Sequence, residues 1–207
     1  MRTKHKAIGI PTIDVSLVVI RTGTAENGME IAIDTANKVG VEPQTETEDA
    51  IKLIKLGKLI AQKPSTVTIT GHQIVLTDNV FTPLVIKILQ GGTIEEDENG
   101  FPHYTPPVAG SNEKGEVFEL DCYSAEYDAS GQIVKYEKIT YPNCQGVPVA
   151  INTEDNVFRL PEYTINSAPR TGQPPYDISY VKELPSFSDV AEASVEDEGT
   201  GTEISPI

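Results

Sequence analysis

The chain has 207 residues and carries 31 acidic against 16 basic residues, which gives a formal net charge of −15. A surface with this excess of negative charge repels phosphate backbones, so the composition argues against a nucleic-acid-binding protein that uses basic patches. No apolar run approaches the roughly 18 residues of a membrane span, and no signal-peptide apolar region precedes Pro11, so we expect a cytosolic protein without a membrane partner.

The first elements are an arm and two strands. Residues 1–11 contain several basic side chains, and we predict that they form a flexible N-terminal arm. β-branched residues predict a strand over 12–21, and alternating apolar side chains predict another over 29–35. The Asn27–Gly28 pair between them is typical of a hairpin turn.

The segment 48–63 gives two conflicting signals. Lys52, Lys55 and Lys58 recur at helical spacing, which favours a helix. Gly57 interrupts that helix at its centre, and the apolar residues around it share a strand face instead. Periodicity alone therefore favours a helix, but a pair of strands stays open.

The next segment, 66–78, is rich in β-branched residues on both sides of Gly71–His72. Glycine beside a polar residue is a common turn signal between two such runs. We therefore predict a small hairpin that turns at Gly71–His72.

A short helix at about 82–91 has clear start and stop signals. Thr82 suits the N-cap, Pro83 the first helical position, and Gly91–Gly92 a left-handed exit. Its apolar residues wrap most of the circumference, which one sheet face cannot cover. They are Leu84, Val85, Ile86, Ile88 and Leu89. Either the domain buries this surface itself, or a second copy covers the remaining side.

The rest of the chain returns to β-structure after a long excursion. Residues 93–115 are dense in Gly, Pro, Asn and acidic residues, which predicts an exposed loop. Strand patterning follows in two pairs of segments, at 117–128 with 132–141 and at 156–168 with 176–184. We predict a single β domain over 12–184, and a disordered acidic tail over 185–207, which has no basic residue.

No motif for catalysis, metal binding or cofactor binding stands out. The three histidines, His5, His72 and His103, lie outside any known catalytic pattern. Residues 95–100 match the first half of a calcium loop, but its twelfth position, which needs a bidentate Glu, is Pro106. We therefore favour a solvated acidic turn there, and predict no catalytic residue, metal or cofactor and no enzymatic activity.

Six stretches in order carry a resemblance to a known family. They are VEPQTETEDA (41–50), LIAQKP (59–64), TGHQIVLTDNVFTPLVIKILQGG (70–92), YTPPVAG (104–110), YSAEYDASGQIVKYEKITYPNCQG (123–146) and EYTINSAP (162–169). Between about Val41 and Leu184 the chain resembles the major tail tube proteins of long, non-contractile-tailed bacteriophages and related phage-tail-like particles.

The resemblance implies a mainly β fold, a β-sandwich or partly rolled barrel of antiparallel strands flanked by one main helix. It also implies strands around Leu56–Gly57, so we predict strands rather than a helix over 50–63. In such proteins six copies form a ring, and rings stack into a hollow tail conduit for DNA. The resemblance therefore implies a structural virion protein of the tail, assembled in the host bacterial cytoplasm.

The partners implied by the resemblance are further copies of the chain, the tail tip and tail terminator proteins, and the tape measure protein. DNA would pass through the lumen without specific binding. The helix would lie near the join between subunits, and the loop at 93–115 would reach a neighbour. The candidate interface residues are Leu84, Val85, Ile86, Ile88, Leu89, Phe101, His103 and Tyr104.

Other classes of function stay open from the sequence. The main alternative is a monomeric β-sandwich binding module for carbohydrate or a host surface, which should show a compact aromatic cleft. An enzyme would need a cluster that forms only in three dimensions. A sheath, capsid or decoration protein is a further structural alternative.

Overall fold

The computed structural model describes residues 11–24 and 27–187, which contain twelve strands and one helix. The first six strands are β1 (Thr12–Thr22), β2 (Met29–Ile33), β3 (Ala36–Glu48), β4 (Ile51–Lys55), β5 (Lys58–Lys63) and β6 (Thr66–Asp78). Helix α1 (Pro83–Gln90) follows. The other strands are β7 (Thr93–Glu96), β8 (Pro102–Thr105), β9 (Phe118–Tyr127), β10 (Ile133–Gly146), β11 (Glu162–Ser167) and β12 (Asp177–Val181). The predicted mainly β class with one helix is confirmed.

Eight strands form one antiparallel sheet in the order β2-β1-β9-β10-β11-β6-β3, with β12 paired to β10. The long strand β10 holds the sheet together, because it pairs with β9 on one side and with both β11 and β12 on the other. The end strands β2 and β3 are not paired with each other in the described ranges. The sheet is therefore rolled but open.

The core lies inside this rolled sheet. Side chains of β1 and β9 meet those of β6 and β11 there, and Tyr163, Ile20, Ile74 and Leu120 are among the largest that are fully buried. Helix α1 packs into the same cluster. Val85, Ile86, Ile88 and Leu89 are each at most 3 % exposed. Of the two alternatives for the helix, the structure therefore shows burial within its own domain.

This burial corrects part of the expected interface. A side chain contributes to a subunit contact by losing exposed surface, and Val85, Ile86, Ile88 and Leu89 have almost none to lose. Their apolar character is explained by the core of the single chain. Leu84 is half-buried and keeps some free surface.

A smaller apolar cluster lies on the outer face of the sheet. Leu17, Val19 and Tyr123 form it, and Leu184 and Phe187 pack across it. The folded part of the chain therefore reaches Phe187, three residues past the predicted end at 184. The expected N-terminal arm at 1–11, apart from Pro11, and the acidic tail from 188 onward lie outside the described residues.

The segment 48–63 is a hairpin, as the resemblance implies, and the helix favoured by its periodicity is wrong. Leu56 and Gly57 form its turn, with φ angles of 50° and 74°. Three lysines at helical spacing gave a false helical period. The hairpin is exposed on both faces, so no buried face imposes the alternation of a strand.

The predicted hairpin at 66–78 is wrong, because β6 is one continuous strand paired with β3 and β11. Gly71 does not turn the chain. A Cβ at this position would clash with the Ser167 carbonyl oxygen, so the glycine permits close backbone approach inside the sheet. Strand β3, which the sequence patterns did not predict, is its partner.

The loop predicted at 93–115 contains a short hairpin, β7 with β8. The strand predicted at 156–168 is shorter than expected, because only Glu162–Ser167 pairs as β11. The paired strands around 129–131 are confirmed as β9 and β10.

Candidate assembly interface

A two-stranded extension leaves the domain between residues 44 and 70, and we call it the projecting arm. Its shaft pairs residues 44–48 of β3 with residues 66–71 of β6, and its tip is the β4–β5 hairpin over 51–63. Every residue from 44 to 70 is exposed except Ala50, which is half-buried. Residues 11–24 and 27–187 thus provide no layer that covers the arm.

The arm is firmly joined to the domain. The β3–β6 register shifts between Gln44 and Thr45, which marks a bulge where the arm begins. His72, the next residue of β6 after Gly71, is buried and lies edge-on to Tyr141 and Tyr176, with ring centroids 5.4 Å apart in each case. Burial lowers the pKa of His72, so its imidazole stays neutral beside these rings.

The shaft has two chemically different faces. Paired residues of an antiparallel ladder share a face, so Thr45 with Ile69 and Thr47 with Val67 form one β-branched face. The opposite face carries Glu46 with Thr68 and Glu48 with Thr66. On the β-branched face, 63 % of Val67 and 42 % of Ile69 are exposed. This face resembles the inner face of a β-sandwich from which the second sheet has been removed.

The tip of the arm is strongly apolar. Six large side chains there are at least 56 % exposed: Ile51, Leu53, Ile54, Leu56, Leu59 and Ile60. Ile51 and Ile54 lie on opposite faces because side chains alternate along a strand. An isolated two-stranded hairpin is only marginally stable in water, and exposed apolar patches mark interaction surfaces. We therefore take the arm as the candidate functional site.

The tip is also basic, although the chain as a whole carries a net charge of −15. Residues 51–63 contain four lysines, a quarter of the 16 basic residues, and no acidic residue. Lys63 pairs with Glu48 of the shaft at 2.8 Å. Lys52, Lys55 and Lys58 make no ion pair within the described ranges, so three positive charges are available to a partner.

The end of the domain opposite the arm carries an exposed loop over 147–161, which we call the far-end loop. Strand β6 runs from the arm to Asp78, whose backbone N–H donates to the carbonyl of Pro161 at 3.0 Å. All residues from 150 to 160 are exposed. The loop has four exposed apolar side chains, Ile151, Val157, Phe158 and Leu160, and two carboxylates, Glu154 and Asp155.

A cavity of about 300 Å³ opens beside the far-end loop. Phe81, Leu160 and Glu162 are among the residues that line it. Arg159 lies 4.7 Å from the Phe81 ring and donates to the Thr153 hydroxyl, so the loop is held against the end of the domain. Sequence reasoning missed this surface because it assigned residues 156–160 to a strand, whereas the strand begins only at Glu162.

The remaining predicted interface residues lie on the β7–β8 hairpin. Phe101 is 66 % exposed, and His103 is also exposed. Tyr104 is half-buried, because its hydroxyl donates to the Gly91 carbonyl and accepts from Gln90 Nε2, both at 2.8 Å. Only Phe101 and His103 of this group therefore present a largely free surface.

The half-matched calcium loop serves as a turn in this hairpin. The Asp97 carboxylate accepts from the backbone N–H groups of Asn99 and Phe101, each at 2.8 Å, and these hydrogen bonds lower its pKa. Within the described residues, no three His, Cys, Asp or Glu side chains are grouped as metal ligands.

A buried charge cluster lies on the outer face of the sheet. The Asp121 carboxylate contacts Arg21 at 2.7 Å and Lys138 at 3.0 Å, and it accepts from the Thr140 hydroxyl at 2.6 Å. Both carboxylate oxygens are thus satisfied, which is the arrangement of a structural ion network. Neighbouring positions on β1, β9 and β10 supply these residues. The cluster could be predicted from the sequence only if the register of these three strands were known.

The thiols have no reactive setting. Burial raises the pKa of both Cys122 and Cys144 to about 12, so both stay protonated at neutral pH. A second cavity, of about 500 Å³, has mainly polar and charged walls, including Arg21, Glu30, Glu119 and Arg170. Its one aromatic residue, Phe118, is a core side chain. It is not the aromatic cleft expected of a carbohydrate-binding module.

Comparisons with known proteins gave structural neighbours only. The chain is similar to a protein in the cryo-EM structure of the anti-feeding prophage cap, the tube terminating cap, with TM-score 0.40 and 10 % identity over 85 % of this chain and 95 % of that chain. It is also similar to a protein in the six-fold symmetrised anti-feeding prophage baseplate, with TM-score 0.34 and 10 % identity over 86 % and 97 %. No family model and no curated protein matches the sequence. None of the described helices is long and apolar enough to cross a membrane.

Proposed function

We propose that this chain is a structural subunit of a phage-tail-like tube, and that six copies form a ring whose stacks make a hollow conduit for DNA. The observation that carries the proposal is the projecting arm. An extension with six large apolar side chains in water is unfavourable for a lone subunit, and it becomes favourable when neighbouring copies cover it.

The magnitude of this driving force is substantial. Full burial of one large aliphatic side chain contributes roughly 1.5 to 3 kcal/mol. Association also costs translational freedom and the ordering of long side chains, so a single arm contact is weak. Repetition of that contact around a ring and along a tube supplies the stability that one contact lacks.

Free sheet edges support ring formation. Strands β2 and β3 end the eight-stranded sheet, and neither outer edge has a partner in the described ranges. An unpaired edge is a template for a strand of another chain. Strand β3 carries Pro43 and three glutamates, Glu42, Glu46 and Glu48, which discourage indiscriminate pairing. Pairing of this edge between copies would join their sheets.

The charge of the chain suits a conduit. A net charge of −15 makes most of the surface repel a polyanion. We assign the Glu46–Glu48 face of the shaft to the lumen, and its β-branched face to the neighbouring subunit. In this proposal the subunit also contacts tail tip, tail terminator and tape measure proteins, and it is located in the tail of a virion.

Electron microscopy tests this function. The purified protein is concentrated and incubated over days, then imaged by negative stain. The control variant replaces residues 51–63 by a short Asn-Gly turn, and circular dichroism checks that it keeps the β domain. We expect six-fold rings or hollow tubes from the wild type and monomers from the variant.

Two results would contradict the proposal in different ways. Tubes of normal width from the arm-tip variant would mean that the arm is not the assembly element. A wild-type chain that stays monomeric at every concentration, and that binds an immobilised glycan array instead, would support the binding-module alternative.

A further inference from the structure

The structure assigns a docking site for the tip of the arm: we propose that it binds the far-end loop of another copy. The inference rests on the proposed function and specifies the contact that joins one ring to the next. In this contact the basic, apolar hairpin of 51–63 meets the acidic, apolar surface of 147–161 and the cavity beside it.

The geometry makes the contact intermolecular. Strand β6 leads from Gly71, at the root of the arm, to Asp78, which hydrogen-bonds to the end of the far-end loop. Seven residues of strand span about 23 Å, and the arm leaves in the opposite direction. A contact between opposite ends of identical chains is head-to-tail, and such contacts extend without closing. The same pair of surfaces, the tip and the far-end loop, can therefore form every contact between successive rings.

The chemistry of the two surfaces is complementary. The tip has four lysines and no acid. The far-end loop has two carboxylates, Glu154 and Asp155, and one arginine that already stacks on Phe81. Glu162 of β11 adds a third carboxylate beside the loop. Each surface adds exposed aliphatic or aromatic side chains, so charge pairing and apolar burial act together. Charge complementarity also fixes which end of a neighbour the arm accepts.

Leu56 is the residue that we place in the cavity. It is 93 % exposed at the extreme of the hairpin, and its φ of 50° is unusual for a branched side chain. Asn or Gly would form this turn without strain, and no residue of the described ranges covers Leu56. The cavity of about 300 Å³ is large enough for a leucine side chain, and Phe81 and Leu160 are the side chains of its mainly polar wall that this leucine would contact.

The acidic β7–β8 hairpin fits the tip less well. It carries Glu95, Glu96, Asp97 and Glu98, but Asp97 is used by its own turn. Phe101 is the single large apolar side chain exposed within the two strands and their connecting turn. Its glutamates therefore provide a matched control for the charges of the far-end loop.

Charge reversal tests the contact. The variant K52E/K55E/K58E should reduce the sedimenting, assembled fraction by about ten-fold at low salt. E154K/D155K should do the same, and the chain that combines both sets should assemble again. The control combines the tip reversal with E95K/E96K, and we expect no recovery from it. Circular dichroism confirms that each variant is folded.

Several results would overturn the inference. They are normal assembly of the tip-reversed chain, recovery with E95K/E96K, or no recovery with E154K/D155K. A wild type that sediments only with anionic vesicles would assign the tip to a membrane surface. If the wild type never assembles under any condition, the proposed function itself fails, and this contact fails with it.

Crosslinking gives a second readout that does not need complete tubes. The chain with Leu56→Cys and Phe158→Cys should form disulfide-linked ladders under mild oxidation. The native thiols compete little, because their pKa values, raised to about 12, keep both protonated. A chain with Leu56→Cys and Phe101→Cys is the matched control. Ladders of equal intensity from the control would contradict docking at the far-end loop.

Discussion

Helix α1 and the tip of the projecting arm have nearly the same apolar character but opposite surroundings. In the helix, Val85, Ile86, Ile88 and Leu89 are at most 3 % exposed. In the tip, six comparable side chains are at least 56 % exposed. The helix is thus covered by the domain that contains it, whereas the described part of the same chain leaves the arm uncovered.

Under the proposed function, this difference separates the residues that stabilise the fold from the residues that join copies. Side chains covered inside one chain contribute to the stability of the monomer, and they have little left to offer a neighbour. Side chains left in water contribute nothing to the monomer and become favourable only on association. The residues that build the subunit and the residues that join subunits should therefore respond separately to mutation.

The largest expected effect is in the helix. Ile86→Ala should lower the free energy of unfolding by about 2 to 5 kcal/mol, because it leaves a cavity in the core. The matched change in the arm, Ile54→Ala, should alter it by less than about 0.5 kcal/mol while weakening assembly. Urea denaturation measures both. Equal losses of stability would mean that the arm packs on its own domain in solution.

Aspartate at Ile88 and Leu89 is a stronger form of the helix test. We expect this double variant to lack a folded domain, because it places two charges in the core. It blocks assembly for that reason and does not report on an interface. A folded monomer that fails to assemble would return the helix to the subunit contact.

The next effect compares two ion pairs. Asp121→Ala should cost about 3 kcal/mol, because it leaves Arg21 and Lys138 without their carboxylate. Glu48→Ala, which breaks the exposed pair with Lys63 in the arm, should cost less than about 1 kcal/mol. Thermal and urea denaturation of the two variants decide this. A neutral Asp121→Ala would show that the cluster is solvated.

A third comparison concerns the end of the folded chain. Truncation after Glu183 removes Leu184 and Phe187 from the outer cluster, and it should lower stability by about 1 to 3 kcal/mol. Truncation after Phe187 should leave stability unchanged. Urea midpoints of the two nested truncations measure the difference. The same midpoint for both would mean that this packing is unimportant.

The smallest effect is a pH dependence at the root of the arm. Burial lowers the pKa of His72 below its ordinary 6.5, so the unfolded chain binds this proton more tightly than the folded chain. The stability from neutral His72 is present above 6.5 and is lost as the pH falls through the lowered folded pKa. Denaturation above and below 6.5, compared with His72→Gln, measures it. Identical pH dependence in the variant would contradict this role.

Local chemistry predicted the elements whose boundaries depend on a few residues. Pro83 and Gly91 define the ends of α1, and the turn at 129–131 separates β9 from β10. Gly71 shows the limit of this approach, because the same residue type serves a turn or a close approach of two backbones. The Ser167 carbonyl that decides between them is almost a hundred residues away.

The candidate site was less predictable for a related reason. Amphipathic patterns show that a side chain needs cover, but they do not show which chain provides it. For α1 the answer is its own sheet, which sequence patterns left open. The arm was harder still, because its lysines gave a helical period and its polar strand, β3, gave no strand signal.

Strand β6 also has a mechanical consequence. The same uninterrupted strand carries Val67 and Ile69 in the arm and Ile74 and Leu76 in the core. A force on the arm along the axis of β6 would act in shear on the hydrogen bonds of β6 to β3 and β11. These bonds would share the force and would not break one after another. A particle built from such subunits would resist stretching through the same ladder that folds each subunit.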